Sequence, residues 1–269
     1  MFNKKIGFIG AGNMAGAIID GILKNGCKPC NITVFDVDKG KMDYYKLKSL
    51  NTSENSAGLV ESSDIIVFAV KPFHLEKVLT DIKDCNLHNK IFVSIAAGIT
   101  MDFISSKTSD SIKVIRVMPN TPMLIGEGAS ALCKNKYVTD EELNMIVDIF
   151  SSMGVAKIIG EDKMNEIIAV SGSSPAYAYL FIKSIIDEGV SMGIPEDIVK
   201  ELAVQTVIGS AKMILESDKT PQQLIDMVTS PKGTTLEAME VLYKNDFEKI
   251  IADAMKACTK RAIEISQGK

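Results

Sequence analysis

Along the first half of the chain, short runs of β-branched and aromatic residues alternate with segments that are apolar at helical spacing. "KKIGFIGAG" closes on glycines and gives way to a periodic stretch from Met14 to Lys24, and "NITVFD" closes on Asp36. "SDIIVFAV" (63–70) is apolar without alternation, as a strand covered on both faces of a parallel sheet must be. "KPFHLEKVLTDI" then places Pro72 at a helix start, and "KIFVSIAAG" (90–98) and "IKVIRVMPN" (112–120) repeat the rhythm. This alternation predicts an α/β fold with a doubly wound parallel sheet. Beyond about residue 160 the strand-like runs stop, and helical patterns cover 163–193, 196–216, 221–228, 235–243 and 247–266. Gly, Ala, Ser and Met crowd the stretch from Met164 to Met192, which suits helices in close approach, within a subunit or between two. With no low-complexity linker, the boundary is predicted to be a short junction, dividing residues 1–160 from an all-helical domain over 161–269.

The first strand and helix are joined by Gly10-Ala11-Gly12-Asn13-Met14-Ala15, which has the form G-x-G-x-x-G/A. Gly10 serves the tight turn, Gly12 lets backbone approach a pyrophosphate, and the small Ala15 lets helix and strand pack closely. The helix N-terminus adds N–H groups and a positive dipole end. Asp36 closes the second strand 21 residues after Ala15, the context in which this motif marks a dinucleotide-binding Rossmann domain. An acidic residue there takes the ribose 2′-OH of NAD and disfavours a 2′-phosphate. Lys39 and Lys41 follow at once and could neutralise one, so the choice between NADH and NADPH leans to NADH but stays open. Val70-Lys71-Pro72, the "SIAAG" turn at 94–98 and "MPNTP" at 118–122 are further strand ends facing the expected crevice. Lys71 fits three roles equally: a proton donor, a ribose contact or a solvated charge at a helix start.

Composition narrows the picture without adding chemistry. Hydrophobic residues are 46% and charged residues 24%, ordinary for a globular protein, and a net charge of −4 with scattered Lys and Arg offers nucleic acid no basic face. The longest uncharged run, 167–182, is too short to span a bilayer, and "MFNKKIGFIG" contains no leader-like apolar core, so the expected location is the cytoplasm. Cys27 and Cys30 form a lone CxxC, which could be a redox pair or half a metal site but has no second pair or His cluster beside it. With only two histidines, no metal site is expected. One polar stretch, "VTSPKGTTLE" (228–237), precedes a helical pattern. Thr234 and Glu237 fit a capping box, and the same residues could hold a small molecule.

In order, Gly10 to Ala15, "AVKP" (69–72), "SIAAGI" (94–99), "RVMPNTP" (116–122), "SGSSPAYAY" (171–179) and "VTSPKGTTLEAMEVL" (228–242) make the chain resemble pyrroline-5-carboxylate reductases from end to end. The resemblance implies reduction of 1-pyrroline-5-carboxylate to L-proline with NADPH or NADH, the last step of proline biosynthesis. It implies a helical domain that interlocks into a homodimer, often assembled further into a decamer. It places cofactor contacts on Gly10, Gly12, Asn13, Met14, Ala15, Asp36, Asn55, Val70, Lys71, Pro72, Ala96 and Ala97. It places substrate contacts on Glu161, Ser230, Gly233, Thr234 and Thr235, with Thr235 against the ring nitrogen as the catalytic group. Two positions depart from the family pattern: Ser174 and Lys232 stand where glycines are usual. A β-hydroxyacid dehydrogenase would need an acid/base lysine early in the helical half, and neither Lys163 nor Lys183 sits in such a motif. A nucleotide sensor would bind the dinucleotide without turnover.

Overall fold

The computed structural model describes residues 4–267; the first three residues of the stretch read for a leader lie outside them. Eight strands, β1 (Ile6–Ile9), β2 (Ile32–Phe35), β3 (Asn51–Thr52), β4 (Ile65–Phe68), β5 (Ile91–Ser94), β6 (Lys113–Met118), β7 (Gly128–Lys134) and β8 (Gly154–Ile158), form one sheet. Their order is β3-β2-β1-β4-β5-β6-β7-β8. All neighbours run parallel except β7 against β6. The first six strands are thus the expected doubly wound sheet, and the antiparallel strand is an addition the apolar pattern did not announce.

Helices α1 (Asn13–Lys24), α2 (Lys39–Leu47), α3 (Ser56–Glu61), α4 (Pro72–Ile82), α5 (Met101–Lys107) and α6 (Asp140–Ser151) flank the sheet. Alternate strand residues divide between two cores, as the two-residue period of a pleated strand requires. Ile6, Phe8, Ile65 and Val67 pack with Ile18 and Ile22 of α1 and Ile146 of α6. Ile9, Ile66 and Phe68 pack with Leu59 of α3, Leu75 and Leu79 of α4 and Ile104 of α5. Both faces are therefore covered, which is why the strands read as continuous apolar runs.

Five more helices follow: α7 (Ser174–Ser191), α8 (Glu196–Glu216), α9 (Pro221–Val228), α10 (Thr234–Lys244) and α11 (Phe247–Ser266). The pattern over 163–193 is not one helix. A 3-10 turn at Glu161–Lys163 and a π-helical turn at Ile168–Gly172 precede α7, whose second residue is Pro175, a residue without the N–H that an unbroken helix would need there. Packing divides the chain into two compact units, 1–173 with 258–269, and 174–257. The second unit has little interior of its own: α7, α9 and α10 have no fully buried residue, while Leu180, Leu202, Leu215 and Met227 lie exposed. No helix among the described residues is long and apolar enough to cross a membrane.

Candidate active site

The strand order reverses between β1 and β4, and at such a switch point an open α/β sheet receives its ligand. Gly10 sits there with φ +102, and a Cβ on it would lie 2.6 Å from Ala69 O and 2.9 Å from Val70 N. Glycine is needed both for the left-handed backbone and for the close approach of the two strand ends. Gly12 has the opposite surroundings: a Cβ there would meet nothing within 4 Å, so its backbone faces open space. It is also the N-cap of α1, which no side chain caps. Ala15 is 1% exposed and buried in the core behind the turn. A cleft of about 600 Å3 opens on Ala11, Gly12, Asn13, Asp38 and Lys41. An open glycine backbone at a free helix N-terminus fits a dinucleotide's pyrophosphate.

Asp36 follows β2, hydrogen-bonded into the same turn. Its Oδ2 accepts from Ala11 N at 2.8 Å and pairs with Lys41 Nζ at 3.4 Å, and its Oδ1 accepts from Asp38 N at 2.9 Å. Burial pushes this carboxyl up, but the hydrogen bonds from Asp38 and Ala11 and the Lys41 ammonium outweigh it and hold the group below its ordinary value. The carboxylate is therefore ionised at neutral pH.

The other strand ends are where the sequence puts them. Val70 is half-buried, Lys71 is the exposed N-cap of α4 and Pro72 its first residue. Ala96 is buried and Ala97 half-buried in the turn after β5. Asn55 caps α3, its Oδ1 accepting from Gly58 N at 2.7 Å, and it lines a separate polar groove with Lys5, Cys30, Thr33 and Asn51. In the "MPNTP" segment, the buried Asn120 is a clamp that sequence reasoning missed: its Nδ2 donates to Ser171 O at 3.0 Å and its Oδ1 accepts from Ala129 N at 2.8 Å.

Glu161 meets two partners that no local pattern reveals. Its Oε1 accepts from Arg116 Nη1 at 3.0 Å and from Met101 N, at the start of α5, at 2.8 Å. Across the β6–β7 ladder from Arg116 lies Cys133, whose thiol burial pushes up to about 11 despite the guanidinium. Cys27 of the CxxC is likewise pushed up, by burial and then by Cys30, the reverse of what a reactive redox pair needs. No group of three His, Cys, Asp or Glu suited to a metal occurs among the described residues.

In the second unit, the "VTSPKGTTLE" segment is a tight turn feeding α10. Gly233 N donates to Ser230 O at 2.9 Å, and Lys232 is left-handed with φ 61. A Cβ on Gly233 would fall 2.4 Å from Ser230 Oγ, so a larger residue would turn that hydroxyl away from the helix start. The capping box expected from Thr234 and Glu237 does not form. Gly233 is the N-cap and no side chain caps the helix, which makes Thr234 the first helical residue and Glu237 the fourth, one place beyond the reciprocal position. The Thr234 and Thr235 N–H groups therefore remain available to a ligand, while Leu236 N donates to Gly233 O at 3.1 Å.

A switch-point cradle of this form, with an acidic residue closing the second strand, defines a dinucleotide-binding Rossmann protein. Residues 5–98 match the family model described as "NADP oxidoreductase coenzyme F420-dependent", and residues 161–265 match "Pyrroline-5-carboxylate reductase dimerisation". The chain is 38% identical over 266 residues to pyrroline-5-carboxylate reductase of Escherichia coli K12, covering 98% of this chain and 99% of that one. It is 37% identical over 265 residues to that of Arabidopsis thaliana, covering 98% and 96%. The solved pyrroline carboxylate reductase of Plasmodium falciparum, with NADP bound, superposes with a TM-score of 0.92 at 37% identity over 99% of both chains. The chain belongs to the pyrroline-5-carboxylate reductase family.

Proposed function

We propose that this protein reduces 1-pyrroline-5-carboxylate to L-proline, the last step of proline biosynthesis, using NADH or NADPH. The observation that carries this reading is that one chain holds both the open glycine cradle and an uncapped, hydroxyl-lined helix start. Residues 1–160 form the dinucleotide domain in this reading, and 161–269 the substrate and dimerisation domain. Gly10, Gly12, Asn13, Met14 and Ala15 shape the pyrophosphate cradle, Asp36 and Asn55 hold the adenosine end, and Val70, Lys71, Pro72, Ala96 and Ala97 line the crevice. The bound dinucleotide supplies a hydride when reduced.

The substrate is a cyclic imine bearing a carboxylate, and it accepts hydride best once its nitrogen is protonated. Thr235 donates a hydrogen bond to that nitrogen, and because a hydroxyl is too weak an acid to be a lone proton source, the proton arrives through water. The first N–H groups of α10 with the Ser230 and Thr234 hydroxyls hold the carboxylate, where the helix dipole favours an anion. Gly233 keeps that approach clear. Glu161, with Oε1 taken by Arg116 and Met101, contributes through its remaining oxygen. Such positioning can supply roughly 7–11 kcal/mol of barrier reduction.

The exposed apolar helices of the second unit support a homodimer; its further assembly into a decamer is carried by the family resemblance alone. The five free cysteines suit a reducing compartment, and we assign the protein to the cytoplasm. The test follows NADH and NADPH absorbance with pyrroline-5-carboxylate. Thr235→Ala and Thr235→Val are expected to lose kcat by on the order of 10- to 100-fold, about one hydrogen bond to a charged group. No turnover by the wild type with either cofactor sinks the reaction; unchanged turnover in both variants sinks the role of Thr235.

A further inference from the structure

We infer that Lys41 is a specificity-determining residue that admits the 2′-phosphate of NADPH to a site which Asp36 alone would reserve for NADH. The inference rests on the reductase reading only in that the dinucleotide is the ligand.

Asp36 is the group the adenosine ribose meets. Three donors already address it: two on Oδ2 and one on Oδ1, which leaves Oδ1 free to accept a ribose hydroxyl. An ionised carboxylate at that point repels a phosphate, and Asp38 stands two residues on. Asp38 is not free to help: its Oδ1 caps α2 by accepting from Gly40 N at 2.9 Å and Lys41 N at 3.4 Å. The same bonds use the N–H groups that a phosphate would otherwise take at this helix start. The cation for a 2′-phosphate must then come from a side chain.

Lys41 meets that requirement. Its ammonium touches Asp36 Oδ2 at the long distance of 3.4 Å, its side chain is 43% exposed against 11% for Asp36, and it lines the cleft with Ala11, Gly12 and Asn13. An ammonium has three donors, so Lys41 can keep Asp36 and still face a phosphate. Removing it does not release Asp36, because the Ala11 and Asp38 N–H groups hold that carboxylate without it. The loss should therefore fall on the NADPH side of the balance.

The experiment titrates NADH and NADPH into the purified protein by nicotinamide fluorescence, without pyrroline-5-carboxylate. A charge-assisted hydrogen bond corresponds to roughly a 10- to 100-fold change in affinity. Lys41→Met is thus expected to lower the NADPH-to-NADH affinity ratio by about that much, Lys41→Arg to restore most of it, and Asp36→Ser to move the ratio towards NADPH. The wild-type ratio should also fall as salt rises, since an exposed cation–phosphate contact is screened. Equal losses for both cofactors in Lys41→Met would show that Lys41 merely supports the turn, and an unchanged ratio would show that the 2′ position lies elsewhere; either overturns the inference. A protein that binds both cofactors with the expected ratios but fails to oxidise them with pyrroline-5-carboxylate would leave this inference standing and sink the reductase reading.

Discussion

Glu161→Ala tests the physical account most directly, because the fold already employs the carboxylate of this expected substrate contact. The Arg116 side chain is 5% exposed and its Nη1 lies 3.0 Å from Glu161 Oε1, whose other partner is Met101 N at 2.8 Å. Truncation leaves a buried guanidinium facing a thiol that burial keeps neutral. Stranding one member of a fully buried pair costs about 3–5 kcal/mol. The Glu161 side chain is 32% exposed, so water reaches its end of the pair and the figure falls to about 2–3 kcal/mol. Losing the acceptor for Met101 N adds about 1 kcal/mol. Thr100 still caps α5 through Phe103 N, so the helix start is weakened rather than lost. The expected total of about 3–4 kcal/mol is a large part of a typical folding free energy of about 5–15 kcal/mol. Urea unfolding followed by far-ultraviolet circular dichroism measures it. Arg116→Met on the Glu161→Ala background should recover part of the loss, since no charge is then left unpaired. A loss under about 1 kcal/mol for Glu161→Ala, or no recovery in the double variant, refutes the reasoning. Glu161→Gln, which keeps both hydrogen bonds but leaves the guanidinium without its counter-charge, should lose less stability than Glu161→Ala, and should raise KM for pyrroline-5-carboxylate only if the second Glu161 oxygen touches substrate.

Three other outcomes follow from single positions. Gly10→Ala must place a Cβ 2.6 Å from Ala69 O at φ +102, a strain of about 3 kcal/mol, so calorimetry should find Tm lower by roughly 6–12 °C; an unchanged Tm would mean the strand ends can separate freely. The Asp36 carboxyl is held below its ordinary value, so its stabilisation is present above an unfolded pKa of about 3.9 and is lost as pH falls through the folded value. Asp36→Asn should therefore melt lower than the wild type near pH 7 and converge with it in acid, and a gap that does not narrow as pH falls below the unfolded value contradicts the assignment. Lys232→Gly relieves a left-handed residue of about 1–2 kcal/mol, offset by about 0.5–1 kcal/mol of chain entropy, so it should raise stability by up to about 1 kcal/mol in the same urea titration, and a clear loss would show that the lysine is held by its surroundings.

What could be read in advance divides along physical lines. β1, β2, β4, β5 and β6 announced themselves because helices bury both faces and most positions are apolar. β7, "GASALCK", is built of small residues, and β8 leaves Val155 and Ile158 exposed at the sheet edge, so neither carries a periodic signal. The turn glycines were legible because backbone geometry restricts those positions to one residue type. Arg116 and Glu161 are 45 residues apart, and Asn120 and Ser171 51; such pairs exist only once the sheet is assembled. Capping was the least legible feature. Boxes form at Thr139 with Glu142 and at Thr220 with Gln223, while the one expected at Thr234 does not form because the helix start is displaced by a single residue.

That displacement bears on function. A side-chain cap is worth about 1 kcal/mol, and two helices of this chain take it in full as capping boxes. α10 forgoes it, and its approach also keeps Lys232 in a left-handed conformation and holds Ser230 close against Gly233. A box at Thr234 would have used the N–H groups and the hydroxyl that an anionic imine needs. Local structure left less stable than the sequence could make it marks places where a ligand completes the bonding. If α10 is such a place, proline or a pyrroline carboxylate should protect the Thr234 and Thr235 amides from hydrogen exchange, and the amides at the capped start of α9 should be indifferent to it.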